Sequence, residues 1–163
     1  ILKEATEDGK YPVVIDHGAC SYELIYSLKD RFEIYDLSEY LLKFISTRLS
    51  IVPINDAIGL YTMCASKKLG LEDTMMSLAK LCTKGQVIVH SDTACCGFAG
   101  YKGFFTPQLN IHATTKFKRF YKNSAINIGF SNSSTCEIGL SEASGFSWQH
   151  IAYLLDSVSI SQK

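Results

Sequence analysis

The chain of 163 residues is 47% hydrophobic and 20% charged with only 3 prolines, which argues against disordered, collagen-like and low-complexity classes. Its 16 basic and 16 acidic side chains cancel, so charge gives no reason to expect a nucleic-acid partner. No apolar run approaches the ~20 residues that cross a bilayer, and residues 1–8 are too polar for a signal peptide, so a soluble, non-secreted, cytoplasmic chain without a transmembrane segment is expected. The start without Met, inside a charged segment, reads as a piece of a longer polypeptide, with residues 1–163 forming one domain.

Short β-rich runs alternate with helical patterns along the chain. Residues 12–16 read as a strand, followed by a helix whose apolar stripe is Leu24, Ile25, Leu28 and Phe32. A strand at 34–37 leads to Ser38, the expected N-cap of a helix carrying Leu41, Phe44, Ile45 and Leu49 on one face. Residues 58–63 read as a buried strand running into Cys64. Leu71, Met75, Leu78 and Cys82 recur at helical spacing, and 86–90 is the next strand. Pro107 suits the first turn of a helix whose apolar face is Leu109, Ala113, Phe117, Phe120 and Tyr121. Residues 125–130 form the last expected strand. Ser147 then caps a closing helix with Trp148, Ile151, Ala152, Leu155 and Val158 inward.

This alternation predicts an α/β fold, a mostly parallel sheet with helices on both faces. In such sheets ligands bind beyond the carboxyl ends of the strands. Cys20, Cys64, Cys95, Cys96 and Cys136 all follow predicted strands, whereas Cys82 lies on a helix's apolar stripe and reads as a core thiol. A weak echo, strand then small polar loop then cysteine then helix, links the segments at 13–20 and 126–136 and suggests two pseudo-repeated half-domains.

A chain of this size buries about 70% of its unfolded surface without staples, so the 6 cysteines need another explanation. Thiolate is the metal-binding form, and a helix N-terminus favours it. Vicinal Cys95 and Cys96 are poorly placed to share one tetrahedral zinc site but suit different irons of a cluster. Gly97 lets the backbone pass close to an inorganic core and offer amides to its sulfurs. Three alternatives stay open: disulfides, disfavoured in a chain without secretion signals; zinc, although no C-x-x-C pair occurs; and a vicinal Cys95–Cys96 redox pair.

Cys95-Cys96-Gly97-Phe98-Ala99-Gly100, with Cys64 upstream and Thr135-Cys136-Glu137-Ile138-Gly139 downstream, resembles the cysteine-rich CCG domain. That domain occurs in heterodisulfide reductases and in the iron–sulfur subunits of glycolate and glycerol-3-phosphate oxidases. The residues from about 13 to 156 look most like the C-terminal part of bacterial fusions of an FAD-linked oxidase with an iron–sulfur module, of the D-lactate or D-2-hydroxyglutarate dehydrogenase-like kind. The resemblance implies a 4Fe-4S-type cluster, cubane or non-cubane, on Cys64, Cys95, Cys96 and Cys136. Gly139 stands where the pattern has a further cysteine, which leaves Cys20 as the replacement. It also implies FAD in a flavin module of the same polypeptide, electron transfer to a quinone or carrier protein, and a cytoplasmic or inner-membrane-peripheral location. The fragment alone is not expected to turn over substrate, and a non-catalytic docking domain with zinc or empty cysteines is the alternative.

Other residues carry weaker signals. His90 and His17 are candidate donors near the thiols, while His112 and His150 fall on predicted helices. Lys102, Lys116, Lys118, Arg119 and Lys122 form a basic cluster, read either as a solvated face or as a docking patch. Tyr22, Tyr26 and Tyr101 read either as core aromatics or as a screen between a cluster and water.

Overall fold

A computed structural model describes residues 1–92 and 95–160. After a short helix α1 (Leu2–Ala5), strand β1 (Val13–Ile15) pairs in parallel with β2 (Ile34–Asp36) across helix α2 (Gly18–Leu28). Helix α3 (Leu37–Tyr40) continues through a π-helical turn, Leu41–Ile45, and a 3-10 turn, Ser46–Arg48, to β3 (Ser50–Ile51). The central sheet holds β4 (Ile58–Tyr61), β5 (Val87–Val89), β6 (Ile128–Ser131) and β7 (Ser147–His150), all parallel, in the order β5-β4-β6-β7. Helices α4 (Cys64–Lys68) and α5 (Glu72–Cys82) join β4 to β5. Helices α6 (Lys102–Phe105), α7 (Pro107–Ala113) and α8 (Thr115–Tyr121) join β5 to β6. Helix α9 (Ser134–Ser144) joins β6 to β7, and α10 (Ile151–Val158) leads to β8 (Ser159–Ile160), antiparallel to β3. No helix among the described residues is long and apolar enough to cross a membrane.

The α/β expectation holds, with alternate strand residues feeding two cores. Ile58 and Leu60 of β4 and Phe130 of β6 pack with Met75, Leu78 and Cys82 of α5 and Leu154, Leu155 and Val158 of α10. Tyr61 points to the opposite face, where it packs with Phe117, Tyr121, Leu140, Trp148, Cys96 and Cys136. On that face Gly59 and Gly129 are register partners, and a Cβ on either would fall 2.9 Å or 2.4 Å from the Trp148 indole. The two glycines therefore let the indole lie directly on the sheet, burying a large apolar surface. Cys82 is fully buried, and burial pushes its thiol up to about 11, as suits a structural cysteine.

The sequence echo has a structural counterpart. The unit β1-α2-β2-α3 is matched by β6-α9-β7-α10, and α2 and α9 each have 11 residues with Cys20 and Cys136 at the third. The strand pairs end on Ile15 opposite Asp36 and on Ser131 opposite His150. Asp36 and His150 then cap the next helix, their side chains accepting from the backbone N–H groups of Ser38 and Ala152.

Several expectations need correction. The strands form three sheets rather than one, because β1 and β2 pair only with each other. Asp36, not Ser38, is the cap, its carboxylate reaching a free amide that the Ser38 hydroxyl does not serve. Residues 147–150 are strand β7 rather than helix, so Trp148 packs from the sheet and α10 starts at Ile151. The helix expected from Pro107 onward breaks at Thr114, whose hydroxyl bonds back to the Asn110 carbonyl, and the break leaves Leu109 and Phe120 exposed.

Candidate functional site

In the order β5-β4-β6-β7 the chain leaves β4 toward β5 on one side and returns to β6 on the other, which makes the carboxyl ends of β4 and β6 the topological switch point. Cys64 is the first residue of α4 behind β4, Cys95 and Cys96 follow β5, and Cys136 lies in the first turn of α9 behind β6. Four of the five expected thiols are brought together there. The Cys96 and Cys136 sulfurs are 2.9 Å apart and buried. Cys95 makes side-chain contacts with both Cys96 and Cys64, completing a chain of sulfurs. Cys20 is exposed in α2, and none of these contacts includes it.

Backbone amides face the sulfurs. The Gly97 N–H donates to the Cys95 sulfur at 3.3 Å, the Phe98 amide serves Cys96, and the amides of Ala65 and Cys64 serve Cys64. These favour thiolate, but other influences outweigh them. Contact with Cys136 and burial push Cys96 up to about 12; contact with Cys96 and burial push Cys95 up; burial and the charge of Cys95 push Cys64 up. The expected depression of these thiols at helix N-termini is therefore reversed.

The loop is held from behind by α7. Gly97 has φ +70°, and a Cβ there would fall 2.5 Å from the Leu109 carbonyl and 2.6 Å from Ala113. The close approach that requires glycine is thus to α7. Buried Asn110 donates from its amide to the Cys96 carbonyl at 2.6 Å. Gly139 makes room for that clamp, because a Cβ at 139 would lie 2.4 Å from the Asn110 amide nitrogen and 3.0 Å from Phe98. A cysteine at this place, Gly139→Cys, is therefore expected to destabilise the protein by about 1–3 kcal/mol through overpacking, read by urea denaturation. From the other side, Asn132 accepts from the Met63 N–H at 3.1 Å and donates to the Ser66 hydroxyl at 2.8 Å, tying β6 to the turn that presents Cys64.

Tyr61, the last residue of β4, is a site residue whose sequence context marks only a strand. Burial, then the sulfurs of Cys136, Cys96, Cys95 and Cys64 in that order, push its hydroxyl well above the usual range. The hydroxyl is buried without a hydrogen-bond partner among the described residues. Its only sequence signal is a hydroxyl-bearing aromatic at the end of a buried strand, three residues before a cysteine. Tyr26 and Tyr101 are instead exposed, and Tyr22 stacks on Tyr26. His90 packs against Phe117 and Phe120, and His112 is exposed. The basic cluster is exposed, with Lys116 paired to Asp92 at 3.5 Å.

His17 and His150 belong to a second recess of about 440 Å³, lined also by Asp16, Ser134, Glu137 and Tyr153, between the two matched β-α-β-α units. One polar atom each of His17, His150 and Glu137 is buried there without a partner among the described residues. Burial raises the Glu137 carboxyl to about 7 and lowers the His150 imidazole.

The thiol group suits a soft metal centre in its donors: sulfurs backed by amides. Among the described residues, no three His, Cys, Asp or Glu side chains already stand as ligands around one point. Thiolates sharing a tetrahedral zinc at ~2.3 Å lie about 3.8 Å apart, so even that smallest centre would need Cys96 and Cys136 to separate by about 1 Å. The fold and site together define an α/β protein with a thiol cluster at its switch point. No family model and no curated protein matches the chain.

Proposed function

We propose that this chain is an electron-transfer module that holds a 4Fe-4S-type iron–sulfur centre on Cys64, Cys95, Cys96 and Cys136. The observation that carries the reading is the convergence of these four thiols, with backbone amides aimed at them, at the switch-point crevice. Such a centre supplies one-electron storage and release. The chain's residues supply the sulfur ligands, amide donors and an apolar wall of Phe98 and Phe117 that keeps water away. The CCG resemblance favours a position beside an FAD-bearing module of the same polypeptide, in a D-lactate or D-2-hydroxyglutarate dehydrogenase. A quinone or carrier protein would be the acceptor.

Anaerobic reconstitution followed by iron and acid-labile sulfide analysis tests the reading. Wild type is expected to bind stoichiometric iron and sulfide. Cys96→Ser and Cys136→Ser should lose them with unchanged circular dichroism, and Cys20→Ser should keep them. Folded wild type without iron would sink the proposal.

The 2.9 Å approach of Cys96 and Cys136 favours a second reading, a dithiol that closes to a disulfide. The pair would lose two protons and two electrons to a small-molecule disulfide, which is reduced to two thiols. Peptide mapping would then find Cys96 joined to Cys136, not to Cys95.

A further inference from the structure

The five buried side-chain polar atoms that lack a partner among the described residues all lie near carboxyl ends of parallel strands: His17 Nδ1, Tyr61 Oη, Ser131 Oγ, Glu137 Oε1 and His150 Nε2. Two of them share the thiol face. Tyr61 and Ser131 are register partners at the ends of β4 and β6, so their side chains leave the sheet on the same side. Tyr61 is 3% exposed and Ser131 fully buried, yet the two hydroxyls do not serve each other. A buried hydroxyl without a partner costs about 1–3 kcal/mol, so two beside one site mark a place where a partner is to arrive.

The surroundings of Tyr61 identify that partner. Its ring belongs to the same buried cluster as Cys96 and Cys136, and its hydroxyl feels all four sulfurs. None of the four is close enough and aligned to accept from it. A phenol is protonated near neutral pH, so its O–H is a donor. We propose that Tyr61 is a positioning residue whose O–H donates to an electron-rich sulfur of the centre held by Cys64, Cys95, Cys96 and Cys136. The inference rests on the iron–sulfur reading above. A donor to sulfur stabilises the reduced, more negative state, and so raises the reduction potential.

Tyr61→Phe removes the hydroxyl and keeps the ring. Without metal, the variant is expected to be at least as stable as wild type in urea, since an orphaned group is lost and no hydrogen bond is broken. After anaerobic reconstitution it should bind the same iron and sulfide. Its reduction midpoint should be lower by about tenfold in the reduction equilibrium, or about 59 mV for one electron. An equal midpoint in a fully loaded variant overturns the role of Tyr61 and leaves the iron–sulfur reading standing. Wild type that takes up no iron overturns both. A metal-free variant clearly less stable than wild type shows that the hydroxyl already has a partner and also overturns the role.

Discussion

Gly97→Ala is expected to lower stability by about 2–5 kcal/mol and to release the cysteine loop from the helix behind it. Two costs add. An L-residue at φ +70° meets the left-handed penalty of about 1–2 kcal/mol. The new methyl would also meet the Leu109 carbonyl at 2.5 Å, the Ala113 methyl at 2.6 Å and the Asn110 Cα at 3.0 Å. Two of these are backbone atoms that cannot swing aside, and overpacking of this kind costs about 1–3 kcal/mol. Gly100→Ala separates the terms, because Gly100 has φ +64° but nothing within 4 Å of its missing Cβ. Urea denaturation should show Gly100→Ala losing only the backbone share. Equal losses in the two variants would mean that contact with α7 does not hold the loop.

Asp36→Ala is the second large effect, expected at about 2–4 kcal/mol. The carboxylate is 2% exposed. It accepts from the Ser38 amide at 3.0 Å, the Ser38 hydroxyl at 2.5 Å and the Ser21 hydroxyl at 2.8 Å. It therefore caps α3 and fastens α2 to β2 in one step. Losing the cap alone costs about 1 kcal/mol, and stranding the buried donors adds about 1–3 kcal/mol. Asp36→Asn keeps one acceptor oxygen for Ser38 and should lose less. An alanine variant no weaker than the asparagine variant would show that the Ser38 cap contributes nothing.

How far the fold is legible in the sequence can be read from particular elements. The strands β4 and β5 and the helix α5 stand near where their apolar runs and helical spacing put them, because tertiary packing there agrees with local pattern. Strand β7 is hidden because Trp148 is in phase with Ile151, Leu155 and Val158, so a strand of four residues merges into the periodicity of the helix after it. The break at Thr114 is hidden for a related reason: apolar spacing continues across a point where the chain turns. At the site, the cysteines after strands of the central sheet gather, since position along an α/β unit sets which edge of the sheet a residue reaches, whereas Cys20 follows β1, which pairs only with β2, and stays apart. Tyr61, Asn110 and Asn132 are not legible as site residues. Their roles depend on partners elsewhere in the chain, and nothing near Asn132 in sequence reveals that it serves Met63 and Ser66.

The bond from Met63 to Asn132 joins residues 69 apart in the chain. Contacts between such distant segments incur a large loop-closure cost before they stabilise anything, so they form slowly. The pairing of β4 with β6, which delivers Cys64 and Cys136 to one place, is accordingly expected to form late in folding. Until it forms, the thiols are expected to be exposed on an incomplete chain and open to oxidation into non-native disulfides. Refolding without a reductant is therefore expected to return less native protein than refolding with one.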